Sequence, residues 1–307
     1  MNMYSEIFRT ALGNYKQPGF GKNLSDLFMA WRHESPPTSS FKNLVEDFVG
    51  KPEDENLYDA LRRAMELADR PSKNPYHNHH HNREVFLMTL ALLKTHQEIQ
   101  ASPPIHADLA WTTLCAALLH DYRHDGGTNR VDDKVIPMRL EQRSIDLAKR
   151  EMEDLDLGPL FWHQVSMIVL PTDITAPTVG APSPSTELKQ IFTDHVKKMP
   201  MRRNDNSLFA SLRASPELTL CALTLSDADL STSAGLCADI AQRNTLCLHK
   251  ETKGIIAYTP QSIQGFVRFV CKGFPATPAG RELFTAGLQE INAHVNADIE
   301  NGVAYEF

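Results

Sequence analysis

The chain has 307 residues, 42% hydrophobic and 22% charged, with a formal net charge of −7. These are the values of an ordinary soluble globular protein, and they argue against a nucleic-acid groove as the main function, since such surfaces carry excess Lys and Arg. The five cysteines, Cys115, Cys221, Cys237, Cys247 and Cys271, form no CxxC pair and fit reduced thiols, while the most apolar run, Leu109 to Leu119, is too short to span a bilayer. A cytoplasmic protein without a signal peptide or membrane segment is expected.

Helical periodicity dominates the chain, and alternating strand patterns are nearly absent. Residues 1–40 are punctuated by Gly, Pro and Ser, and "HESPPTSS" reads as a loop. Residues 1–70 are expected to form a helical extension, packed on or leading into a main body at 71–307. From Phe41 the apolar spacing predicts helices over 41–49, 55–69, 83–99, 106–124, 139–155, 161–170, 186–196, 217–231 and 260–272. No helix is assigned between 235 and 259 or beyond 272. The Pro-rich stretch from Pro171 to Ser185 could pass for a domain linker. The polar residues of interest lie on both sides of it, so one all-α domain is preferred.

Those residues sit where apolar side chains are expected. "YHNHHH" places four histidines within five positions, 77 to 81. If the helix of 83–99 begins inside this tract, His77 and His81 share a face. His79 and His80 read as solvated. Leu109, Ala116, Ala117 and His120 share one stripe of the next helix, with Asp121 beside it and His124 one turn on. Glu141 heads the stripe Ile145, Ala148, Met152. Thr172 follows Val165 and Ile168, and Asp229 follows Leu218, Ala222 and Leu225. A single such histidine is ordinarily a hydrogen-bonded core residue, and Asp121, Asp173 or Asp227 alone could be a helix cap. Together they are a set of core-facing groups that need partners, and a divalent cation serves several at once.

In this order the residues resemble the catalytic domain of class I cyclic-nucleotide phosphodiesterases, within the HD-domain metal phosphohydrolases. Tyr76, His77, Asn78 and His81 match YHNxxH. His120, Asp121, His124 and Gly126 match HDxxHxG, with Asn129 following. "LEQRSIDLA" carries Glu141, "VLPTD" carries Thr172 and Asp173, "DADLS" carries Asp229, and "IQGFVRFV" carries Gln264 and Phe266. The resemblance covers roughly residues 70–275.

It implies a compact multi-helix bundle with a central metal site and two divalent metals. His81, His120, Asp121 and Asp229 would hold the first, zinc. Asp121 would bridge to a second, magnesium or manganese, with His124, Glu141 and Thr172 acting through its waters or in the surrounding shell. His77 would be the general acid. Tyr76, Asn129, Gln264 and Phe266 would contact a small cyclic-nucleotide substrate, with a homodimer as a possible assembly. A hydroxide bridging the metals would open the 3',5'-cyclic phosphate of cAMP or cGMP, and His77 would protonate O3'. The sequence also departs from the pattern. Ile263 stands where the family has its purine-binding glutamine, with Gln264 one residue later, and Thr232 replaces the asparagine after CADLS. The carboxylate that orients the acid has no clear match, with Glu282 and Glu290 as candidates. Two other functions therefore stay open: a different HD-type phosphohydrolase, and a catalytically inactive binding module.

Overall fold

Hydroxyl–proline pairs start several of the helices. Ser183-Pro184, Ser215-Pro216, Thr259-Pro260 and Thr277-Pro278 each place an oxygen at the N-cap and a proline in the first helical position. The oxygen accepts from an otherwise unpaired amide, and the proline has no amide to leave unpaired. In this computed structural model, which describes residues 2–132, 134–178, 180–199 and 208–306, fourteen α-helices result. They are α1 (Met3–Gly13), α2 (Phe20–Glu34), α3 (Lys42–Val49), α4 (Asn56–Ala68), α5 (His79–Glu98), α6 (Ala107–Leu119), α7 (Arg139–Glu151), α8 (Pro159–Val169), α9 (Pro184–Val196), α10 (Ala210–Ala214), α11 (Pro216–Ala234), α12 (Ala238–Glu251), α13 (Pro260–Gly265) and α14 (Pro278–Glu300). The β-structure among these residues is a two-residue hairpin, Arg130–Val131 against Lys134–Val135.

Helices α5, α6 and α11 pack on one another at the centre, with α4, α8, α9 and α14 around them. They are buried on nearly every face, so a polar group on them meets protein rather than water. One apolar cluster runs from Phe8 in α1 to Phe284 in α14, and a smaller one joins Ala241, Ile263, Ile291 and Val295. At the corner after α11, an added Cβ on Gly287 would stand 2.2 Å from the Gly235 carbonyl oxygen, and one on Gly21 2.0 Å from that of Leu236. Only glycine permits α14 and α2 to approach so closely.

The first 40 residues, expected to belong to a helical extension, contain two regular helices, α1 and α2, despite their Gly and Ser content. Phe8 and Trp31 pack on Phe41 there, and burial outweighs weak propensity. Arg32 of α2 makes two hydrogen bonds, 2.7 and 2.8 Å, to the buried Glu84 of α5. The helix predicted over 106–124 ends at Leu119, so His120 closes it and Asp121 to His124 lie in a turn. Helices α12 and α14 occupy stretches to which no element was assigned. None of the helices described is long and apolar enough to cross a membrane, and the five cysteines are unpaired.

Candidate metal centre

Asn78 determines how the histidine tract is used. It is the N-cap of α5, its Oδ1 accepting from the amides of His80 and His81 at 3.0 and 3.4 Å. Its Nδ2 donates to the carbonyls of Asn74 and Pro75. His81 therefore lies on the first turn of α5, pointing into the core, while His77 lies in the tight turn before the helix. The two do not share a helix face, because the helix starts after His77. His79 and His80 are half-buried rather than solvated. The His80 Nδ1 stands 3.0 Å from an Arg83 nitrogen, and burial together with His79 and Arg83 pushes this imidazole down to about 3.

Helices α5, α6 and α11 converge on one point. His81 and His120 are 1% and 2% exposed, whereas the carboxylates of Asp121 and Asp229 are 17% and 28% exposed. Imidazoles line the floor and carboxylates the mouth. His81 Nε2 is 3.4 Å from Asp121 Oδ2 and 3.3 Å from Asp229 Oδ1; His120 Nε2 is 3.2 and 3.9 Å from the same atoms. Yet both Nε2 atoms are buried without a hydrogen bond. The His120 Nδ1 hydrogen-bonds the Ala117 carbonyl at 2.8 Å, which leaves the Nε2 lone pair facing the cluster.

Three of these donors, on His81, His120 and Asp121, lie close enough together to hold a metal ion, with Asp229 beside them. Ligands at ~2.0–2.2 Å around a tetrahedral ion stand ~3.3–3.6 Å from one another, close to the separations seen. The electrostatics demand positive charge as well. Burial opposes the charged form of His81, but Asp121 and Asp229 outweigh it and push the imidazole up to about 10. Burial also works against the Asp121 carboxylate, and the neighbouring His120 and His77 still hold it well below its usual range. Glu141 of α7 is pushed up to about 8 by burial and by the Asp173 and Asp121 carboxylates. A nearby cation would relieve that crowding.

A second group adjoins the first. The His77 Nε2 is 3.9 Å from Asp121 Oδ2. Its Nδ1 hydrogen-bonds the carboxylate of Glu251, at the end of α12. The other Glu251 oxygen accepts from the amides of Tyr76 and His77 at 2.9 and 3.0 Å. Burial disfavours the Glu251 carboxylate, but its bonds to His77 lower its pKa. The His124 ring stacks on His77 at 3.9 Å between centroids, and burial and His77 push it down to about 4. The carboxylate partner of His77 is thus Glu251. Glu282 and Glu290 instead line a cleft with Tyr15 and Lys16. Glu251 was missed because α12 was not assigned. A signal existed: Ile240, Asn244, Cys247 and Glu251 follow spacings of four, three and four, which puts a carboxylate on an inward stripe.

The other named residues are placed as follows. Asn129 accepts from the Leu140 amide at 2.9 Å and donates to Glu141 at 3.0 Å, so both ends of its amide are engaged by α7. The Thr172 hydroxyl donates to the Val169 carbonyl. Tyr76 is 7% exposed, its ring 4.7 Å from both His77 and His81. Phe266 begins a five-residue π-helix, Phe266–Val270, and packs partly on the core. Gln264 donates to Asn296 Oδ1 of α14 at 2.8 Å. Asp173 accepts from the amides of Met138 and Thr175. Asp227 accepts from Ala276 and Thr277 and joins α11 to the start of α14.

No protein-family model and no curated protein sequence matches the chain. Solved structures do. The phosphodiesterase domain of the RhoPDE fusion protein from the choanoflagellate Salpingoeca rosetta superimposes with a TM-score of 0.55 at 19% identity, over 92% of this chain and 92% of that one. The structure of LmjPDEB1 in complex with IBMX gives a TM-score of 0.57 at 14% identity, over 94% of this chain and 90% of that one. The chain shares the all-α fold of these phosphodiesterase structures.

Proposed function

We propose that the chain is a metal-dependent phosphodiesterase whose substrates are 3',5'-cyclic nucleotides. One observation carries this reading: a histidine held by a carboxylate, His77 on Glu251, stands 3.9 Å from a carboxylate of a cation-demanding cluster. A proton donor beside a cation site is what a diester requires. Its phosphorus is shielded by negative charge, and its leaving alkoxide needs a proton.

His81, His120, Asp121 and Asp229 would hold one divalent ion, zinc by its two imidazoles and two carboxylates. Asp121 would be shared with a second, magnesium or manganese, with His124, Glu141 and Thr172 around it. When bound, the ions would neutralise the phosphate oxygens and lower the pKa of a bound water. Glu251 occupies the Nδ1 side of the His77 ring, which leaves Nε2, on the side of Asp121, as the atom that would carry the acid proton. As a hydroxide from water forms the new bond to phosphorus, Nε2 would give that proton to O3' while the P–O3' bond breaks, leaving a 5'-monophosphate. Tyr76 and His124 fix the plane of the ring. Phe266 would stack on the base, worth about 1–3 kcal/mol in comparable sites.

A second reading, another HD-type phosphohydrolase, is favoured by the region where a base reader is expected: Ile263 is buried and Gln264 is bonded to Asn296. The deciding experiment is turnover of cAMP, cGMP, cCMP, 5'-mononucleotides and bis(nitrophenyl) phosphate with defined metals. The first reading requires a kcat/KM for a cyclic nucleotide well above that for any mononucleotide. The opposite ranking would overturn it in favour of the second.

A further inference from the structure

The turn that presents His77 is fixed by more than Glu251. The Tyr76 hydroxyl lies 3.0 Å from the Ser233 hydroxyl, near the end of α11. Asn244 of α12 donates to the Thr232 carbonyl at 2.7 Å and to the Ser233 hydroxyl at 3.3 Å. Tyr76, Ser233, Thr232 and Asn244 are all at most 7% exposed. Asn244 and Glu251 are seven residues apart on one face of α12, a rise of about 10 Å. The contacts close a triangle: Tyr76 ties the turn to α11, Glu251 ties it to α12, and Asn244 ties α12 to α11.

The triangle has a mechanical consequence. His77 lies outside α5, so no helix holds its backbone in register with the ligands. Asp229 is on α11, and the Thr232 hydroxyl donates to the Asp229 carbonyl at 2.8 Å. The helix that carries a metal-site carboxylate is therefore the helix that anchors both the histidine turn and the carboxylate partner. A side chain held by buried, fully engaged hydrogen bonds keeps its geometry, and a misplacement of ~1 Å can cost ~10²-fold in rate.

We propose that Ser233 and Asn244 are positioning residues: through Tyr76 and α12 they hold His77 and Glu251 in register with the metal-site carboxylates. This rests on the phosphodiesterase reading for its kinetic consequence but not for its structural one. Two readouts keep them apart. The first is the NMR signal of the His77 Nδ1 proton, identified by its loss in Glu251→Gln. It should broaden or vanish in Ser233→Ala and Asn244→Ala, and weaken in Tyr76→Phe, with or without any turnover. The second is kinetic. Ser233→Ala and Tyr76→Phe should lower kcat for a cyclic nucleotide by about 10- to 100-fold. KM and metal content should stay unchanged, and the rate on bis(nitrophenyl) phosphate, whose leaving group needs no proton, should be nearly unaffected. Tyr76→Phe removes one oxygen from a ring that stays packed, so it tests the idea even if Asn244→Ala fails to fold. An unchanged Nδ1 proton signal in Tyr76→Phe and Ser233→Ala would overturn the proposal. So would equal losses on both substrates, or a loss of metal, which would mark these contacts as general scaffolding. A wild type inactive on every phosphodiester would sink the functional reading and leave the NMR test standing.

Discussion

The metal centre and the segment from Pro260 to Gly273 are both places where motif residues mark a site, and the fold treats them in opposite ways. At the centre, polar atoms converge without satisfying one another: two buried Nε2 atoms have no hydrogen bond, and carboxylates stand beside them. In the second segment the glutamine amide nearest the expected base reader is paired within the protein. Gln264 is bonded to Asn296, and Ile263, 1% exposed, fills the small apolar cluster with Ile291 and Val295. Polar groups left unpaired at a cost in stability imply a missing partner; groups already paired do not.

The strongest way to break this contrast is to remove a ligand. Asp229→Ala should lower metal content and activity together. The loss of several kcal/mol of transition-state stabilisation corresponds to more than about 10³-fold in rate. Elemental analysis beside turnover checks this, and a variant that keeps both its metal and its activity would remove Asp229 from the site. Next comes the acid. His77→Ala should retain the metals yet lose about 10²–10⁴-fold on a cyclic nucleotide, with a smaller loss on bis(nitrophenyl) phosphate. Equal losses on the two substrates would deny it the acid role.

Two smaller effects sharpen the other side of the comparison. Ile263→Gln would restore the residue type expected for purine recognition, but the side chain is in the apolar cluster. The substitution should therefore destabilise the protein by about 2–4 kcal/mol, from a buried unpaired amide and lost packing. Urea unfolding measures this. A variant as stable as the wild type with sharpened purine preference would show that the position faces substrate. Gln264→Ala should cost at most about 1 kcal/mol, because its bond to Asn296 is exposed. Its ratio of kcat/KM for cAMP over cGMP should stay within about twofold. A larger change would make Gln264 a base reader.

Residues on strongly periodic helices were legible. The stripes that end in His120 and Asp229 and the one that Glu141 heads could be read directly, because a polar side chain stands out against a run of buried apolar ones. All three sit in or beside the cluster. Where reading failed, the signal was local and weak. Helix α12 is a mixed stretch without a long apolar run, and its lone inward carboxylate resembles any surface Glu, so Glu251 was passed over for Glu282 and Glu290. His77 was placed one helical turn from His81 because the four-residue spacing fits a helix. The Asn78 cap, an equally plain sequence feature, starts the helix at His79, after His77 has passed.

The sequence by itself determined that the chain is helical and which polar residues stand on apolar stripes, because the spacing of apolar residues dictates the buried face of a helix. That was enough for the all-α class and for the imidazoles and carboxylates of the cluster. Only the tertiary structure decided what meets across helices distant in the chain. Glu251 reaches His77 over 174 residues, Ser233 reaches Tyr76 over 157, and Ile263 faces α14 rather than the cleft. Such pairings depend on how whole helices pack and turn against each other. A shift of one residue rotates a side chain by about 100° around its helix, and no local pattern encodes the rotation that packing selects.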